Sequence, residues 1–269
     1  TDLFNVQITE IPDLGEPLST ANVRFKMEPM VSFLLSVVKQ GIVKPKVDVV
    51  LLQGGNVRGG TADYRPGPFT YGDLMKEFAF ETQLAIVKLP GKVLYESIRH
   101  TRTGEGAKPF FLHCDLDTTF GIMDGDGGTM IEKINGHEFD EDKSYSVATY
   151  QFLLNGMGNI EPLVKYCSEM GETFVPPLEV CVPIKTYFME ACMRHAWLGI
   201  LGLTEDGLTH EKFVAARDKK FNEIDVDKNG FVDTNELCDY VEKTHSVSKK
   251  LVSFLIKSFD KDGNGVLSL

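Results

Sequence analysis

Between Asp225 and Glu236, oxygen-bearing side chains recur at alternate positions: Asp225, Asp227, Asn229 and Asp233, with Glu236 closing the run. A hard cation such as calcium takes six to eight oxygen ligands, and a 12-residue loop supplies them from positions 1, 3, 5, 7, 9 and 12, the ligand at 7 being a backbone carbonyl. Position 7 is Phe231 here, and Gly230 fills position 6, where such a loop must turn sharply. A second run repeats the pattern with Asp260, Asp262, Asn264, Val266 and Ser268 at positions 1, 3, 5, 7 and 9, and Gly265 at position 6. Its position 12 falls beyond Leu269, so the second loop is expected to hold a cation weakly, and the chain is expected to be part of a longer protein.

Each loop needs helices to hold its ends. Phe221 and Ile224 give an apolar face before the first loop, Leu237, Tyr240 and Val241 give one after it, and Ile256 and Phe259 repeat the places of Phe221 and Ile224. Helix, loop and helix together resemble the EF-hand, which implies that Val232 at position 8 pairs with a partner loop. The run Asp124-Gly125-Asp126-Gly127-Gly128 is similar on its surface, but no helix precedes it and Asn135 occupies position 12, so it reads as a turn.

A second kind of chemistry sits on glycines. Val47 to Leu52 is an apolar, β-branched run that reads as a buried strand, and it empties into Gln53-Gly54-Gly55-Asn56-Val57-Arg58-Gly59-Gly60. Glycines let a ligand approach the backbone, and a guanidinium fork beside them suits an oxygen anion. Another strand from Tyr145 to about Phe152 ends in Asn155-Gly156-Met157-Gly158. Around these loops, Met30, Phe33, Leu34, Val37 and Val38 mark a helix that Pro29 starts and Gly41 stops. Leu84 to Leu89 is a strand, Lys92 to His100 a helix, and Asn135-Gly136 the turn of a hairpin. Residues 1 to about 26 read as irregular. The fold class expected is α+β: a mixed-sheet domain over residues 1–203, followed by an all-α module over residues 204–269.

With 42% hydrophobic and 25% charged residues, and no apolar run of membrane length, the composition is that of a globular chain without a membrane span. A net charge of −11 argues against a nucleic-acid partner, which would need clustered Lys and Arg. The five cysteines lack CxxC spacing, which argues against zinc or a disulfide framework and leans toward the cytoplasm over secretion. The six histidines are dispersed and read as surface or capping residues.

Several pieces, in this order and spacing, resemble the C-terminal, substrate-binding domain of the calcineurin-like 5′-nucleotidase (metallophosphoesterase) family. They are Asn22-Val23-Arg24-Phe25-Lys26, Asp48 to Arg58, Phe69-Thr70-Tyr71-Gly72-Asp73-Leu74, Phe80, Lys88-Leu89-Pro90-Gly91 and Phe152-Leu153-Leu154-Asn155-Gly156. The resemblance implies substrate contacts at Arg24, Gln53, Asn56, Arg58 and Asn155, with Phe80 and Phe152 as two rings clamping a base. It also implies an upstream metallophosphatase domain as partner, where two divalent metals activate water for hydrolysis. The D-x-H, N-H-[DE] and G-H-x-H motifs of that domain do not occur here, so this chain alone is expected to be catalytically silent. Gln53 stands in place of the family's Asn, and Met157-Gly158-Asn159 follow Gly156 in place of its Asp. The expected ligand is therefore a nucleotide or another small phosphate ester, in a hydrolase of nucleotide catabolism that also binds calcium. The alternative is a non-catalytic, calcium-responsive module that binds a ligand or a protein.

Overall fold

The computed structural model describes residues 3–15, 17–103, 110–122, 129–260 and 262–268. The strands are β1 (Gln7–Ile11), β2 (Val49–Gln53), β3 (Gly67–Thr70), β4 (Gln83–Pro90), β5 (Leu112–Cys114), β6 (Thr118–Ile122), β7 (Thr129–Ile134), β8 (His137–Glu138), β9 (Ser144–Tyr150), β10 (Val182–Pro183), β11 (Phe231–Val232) and β12 (Leu267–Ser268). The helices are α1 (Pro29–Gly41), α2 (Tyr71–Glu77), α3 (Gly91–His100), α4 (Gln151–Leu154), α5 (Glu161–Met170), α6 (Ile184–Leu201), α7 (His210–Ile224), α8 (Thr234–Thr244) and α9 (Val252–Phe259). The chain divides into two compact units, one of Glu10–Phe69 and Asp73–Phe188, the other of Thr1–Thr9, Thr70–Gly72 and Met189–Leu269. The run Asp124 to Gly128 lies outside the described residues.

The larger unit is built on a mixed five-stranded sheet in the order β10-β4-β9-β2-β5. β2 runs parallel to β9, and the other neighbours are antiparallel. A strand covered on both faces is expected to be apolar, and Val49, Val50, Leu51 and Leu52 of β2 are buried apolar residues, with the polar Gln53 buried at its end. On one face Val49, Leu51, Val87, Leu89 and Val147 pack with Leu94 and Ile98 of α3 and Leu163 of α5. α1 packs against β2 and β5. Its residues Met30, Val31, Leu34, Leu35 and Val38 are buried, and each such side chain contributes about 1.5–3 kcal/mol. A separate antiparallel sheet, β6-β7-β8, turns at Asn135 and Gly136 with φ of 54° and 77°, as the hairpin pair requires.

Two expectations need correction here. The N-terminal segment contains β1 and a short 3₁₀ turn at Leu3–Asn5, so it is not irregular throughout. Phe152 does not close the strand: β9 ends at Tyr150, and Phe152 falls in the single turn of α4.

The smaller unit is helical apart from short pairings. Thr209 caps α7 by accepting from the Lys212 N–H, and Asp233 with Glu236 forms a capping box that opens α8. The Trp197 indole N–H donates to the Leu255 carbonyl (3.1 Å) and lies 3.3 Å from Ser258 Oγ, while the ring meets Phe259 edge-on at 5.3 Å. Tyr71 packs between Phe4 and Phe254.

Candidate functional site

Chemistry-bearing side chains gather in two places, one in each unit. In the larger unit the first glycine loop leaves β2 at Gln53. A Cβ at Gly54 would run into the Val23 carbonyl, so only glycine lets the segment carrying Arg24 lie against the loop. That segment is tied down from the other side as well. Phe111 N donates to the Arg24 carbonyl (3.4 Å), Gly54 N to the Phe111 carbonyl (2.9 Å), and His113 Nε2 to the Val23 carbonyl (2.7 Å). Because a carbonyl only accepts, His113 carries its proton on Nε2. Burial, outweighing the Val23 bond, pushes its pKa down to about 4. His113 is therefore a buried neutral imidazole and not the surface residue expected from the sequence.

Arg24 and Gln53 converge over Gly55, where an added Cβ would meet Gln53 Nε2 at 3.6 Å and Arg24 Nη2 at 3.9 Å. Gln53 Nε2 also lies 3.6 Å from the Met157 sulfur, which joins this loop to the second glycine loop. Asn56 Nδ2 donates to Thr82 Oγ1 at 3.2 Å. The carbonyl oxygens Gln53 Oε1 and Asn56 Oδ1 are buried and accept no hydrogen bond from the described residues. Arg58 is exposed, and its guanidinium lies 4.9 Å over the ring of Phe80. Phe80 is 50% and Phe152 40% exposed, which removes plain core packing as the reason for either ring. Phe152 packs against Tyr150 at 5.4 Å, and its carbonyl accepts from Met157 N. Asn155 is exposed at the end of α4. The structure thus brings Arg24 and Gln53 over Gly55 and links Gln53 to Met157 of the second loop, and separately it lays Arg58 on Phe80. Thr82 and His113, which hold Asn56 and the Val23 carbonyl, belong to no motif that spacing could reveal.

In the smaller unit, carboxylate oxygens of Asp225, Asp227 and Glu236 lie within 4.8 Å of one another. Backbone N–H groups aim them. Asp225 accepts from Asn229 N and Gly230 N, Asn229 Oδ1 accepts from Phe231 N, and Glu236 accepts from Val226 N and Asp233 N. Gly230 has φ of 84°, the left-handed turn that position 6 demands. The second loop repeats the bonds of Asp225 and Asn229: Asp260 accepts from Asn264 N and Gly265 N, and Asn264 Oδ1 from Val266 N. The Gly265 N–H, foremost, holds the Asp260 carboxyl below its ordinary range. β11 and β12 join the two loops through Val232↔Leu267 and Phe231↔Ser268, the position-8 pairing foreseen for Val232. The donor set is all oxygen and suits a hard cation.

The profile of the 5′-nucleotidase C-terminal domain matches residues 7–165, and that of the EF-hand domain pair matches residues 213–269. The chain belongs to the 5′-nucleotidase C-terminal domain family. No curated protein matches this family member in sequence. Among solved structures it is similar to a 5′-nucleotidase precursor from Thermus thermophilus, with 17% identity and a TM-score of 0.51 over 77% of this chain and 39% of that one. It is also similar to the NAD nucleotidase of Haemophilus influenzae, with 16% identity and a TM-score of 0.48 over 81% of this chain and 36% of that one. The chain thus spans well under half the length of these proteins, and the first likeness speaks to the fold alone. No described helix is long and apolar enough to cross a membrane.

Proposed function

We propose that the nucleotidase-type domain is the substrate-recognition part of a phosphoesterase and binds a nucleotide or related phosphate ester at the first glycine loop. The observation that carries this reading is the exposed Arg58 stacked on the exposed Phe80 beside glycines. A guanidinium offers forked donors to phosphate oxygens, and a ring face offers stacking to a base, about 1–3 kcal/mol per base. Arg24 adds a second guanidinium, Phe152 a second ring, and Asn155 an exposed amide. Gln53 Oε1 and Asn56 Oδ1 are acceptors matched to the hydroxyl or amino donors of such a ligand. Hydrolysis would come from a two-metal domain of the kind the family carries. Titration of the chain with AMP and with phenyl phosphate tests the reading: binding weakened by Arg58→Ala is expected, and absence of binding by both compounds overturns it.

We further infer that the first EF-hand binds calcium through Asp225, Asp227, Asn229, the Phe231 carbonyl, Asp233 and Glu236. The second loop offers Asp260, Asp262, Asn264, the Val266 carbonyl and Ser268. Calcium supplies the positive charge that the converging carboxylates otherwise lack, and it would draw the two loops together through the β11–β12 pairing.

A further inference from the structure

The carboxylate of Glu77 is wholly buried at the end of α2, yet no substrate role falls to it. It accepts three hydrogen bonds. Tyr64 Oη donates to Oε1 at 2.7 Å and Thr20 Oγ1 to the same oxygen at 3.0 Å, while Gly59 N donates to Oε2 at 3.1 Å. The Thr20 hydroxyl is itself fixed, since it accepts from Thr61 N at 3.0 Å. The backbone of Glu77 acts on the same loop, its carbonyl accepting from Arg58 N at 2.9 Å. One residue therefore holds the consecutive N–H groups of Arg58 and Gly59, the first with its main chain and the second with its side chain.

The fit is close. A Cβ at Gly59 would overlap the Glu77 carboxylate, so the loop reaches this acceptor only because it is glycine there. Glu77 also sits just before Phe78, whose buried ring packs edge-on against Phe188, and shortly before Phe80, on whose ring Arg58 lies. The short stretch from Glu77 to Phe80 thus sets the height of the Arg58 backbone and supplies the surface on which its guanidinium rests. A buried carboxylate with three committed donors has one low-energy arrangement, and losing any partner leaves a buried polar group unsatisfied.

We propose that Glu77 is the positioning residue for Arg58: its buried carboxylate locks Gly59, and with it the Arg58 backbone, so that the guanidinium is presented over Phe80 before any ligand arrives. This rests on the reading of Arg58 as a ligand contact, and the test separates the two. Hydrogen exchange at the Arg58 and Gly59 amides is measured first, without ligand, in the unaltered chain, in Glu77→Gln and in Tyr64→Phe. Both amides are expected to exchange roughly tenfold faster in Glu77→Gln, with β4 amides unchanged; unchanged exchange at Arg58 and Gly59 overturns the proposal. If Glu77→Gln does not fold, Tyr64→Phe and Gly59→Ala address the same contact from its other sides, under the same criterion.

AMP affinity is then measured in a double-mutant cycle. Glu77→Gln is expected to raise the Kd roughly tenfold, as loss of an orienting partner commonly does. In an Arg58→Ala background it is expected to have no further effect. An equal loss with and without Arg58 overturns the positioning role, because a merely structural residue would act in both backgrounds. If the unaltered chain binds neither AMP nor phenyl phosphate, the ligand reading fails, and the exchange measurement alone decides whether Glu77 holds the loop.

Discussion

Glu236 serves its loop twice. Its carboxylate accepts from Val226 N at 2.8 Å and from Asp233 N at 3.1 Å, so it holds the start of the loop and the cap of α8 while facing Asp225 and Asp227. Glu236→Gln keeps the size, loses the charge and turns one acceptor into a donor facing an N–H. Calcium affinity is expected to fall by roughly 100-fold, within the range that ligand charge sets across EF-hands. Isothermal titration calorimetry checks it, and an unchanged Kd would refute the cation site. His113 makes a different prediction, through pH. Its imidazole is pushed down to about 4 in the folded chain and titrates near 6.5 when unfolded. Between those values the unfolded chain binds the extra proton, so stability is lost as pH falls through that window, by about 3 kcal/mol in full. Comparison of urea midpoints across the window should show the slope reduced in His113→Gln, and equal slopes would remove His113 as its source.

At the scale of elements, the close approach of the 22–26 segment to the first glycine loop is the feature most exposed to substitution. Gly54→Ala must push the Val23 carbonyl away and is expected to cost about 1–3 kcal/mol, as overpacking does. Arg24 would move with that carbonyl, so AMP binding should weaken beyond what the loss of stability explains; a variant with lower stability but unchanged Kd would disconnect Arg24 from the site. Legibility in the sequence follows the range of the interaction. β2, α1, the Asn135-Gly136 hairpin and the EF-hand loops are readable because periodicity, caps and turn chemistry are local. Phe152 is misplaced by one short element, since nothing local distinguishes the last residues of β9 from the first turn of α4. Glu77 and His113 are illegible as supports. Each acts on residues far away in the chain, and a lone Glu or His carries no mark of the carbonyl or amide it will meet.

For the whole molecule, a net charge of −11 is self-repelling, and part of that repulsion is concentrated in the two EF-hand loops. Calcium at about 100 times its Kd is expected to stabilise the folded helical unit by about 2.7 kcal/mol. Calorimetric melts in calcium and in chelator should therefore differ, and melts that superimpose would count against binding. The packing of Trp197 gives this equilibrium an optical readout without any label. It is the single tryptophan of the 269 residues, it is buried, and its ring lies edge-on to Phe259, the residue just before Asp260. Its indole N–H is held by the Leu255 carbonyl on the same helix as Phe259. Any shift of α9 that accompanies a change in the second loop must alter the polarity and quenching around this one chromophore. Intrinsic emission near tryptophan's maximum, and sensitised luminescence from terbium in place of calcium, would then report events at Asp260 against a background free of any other indole.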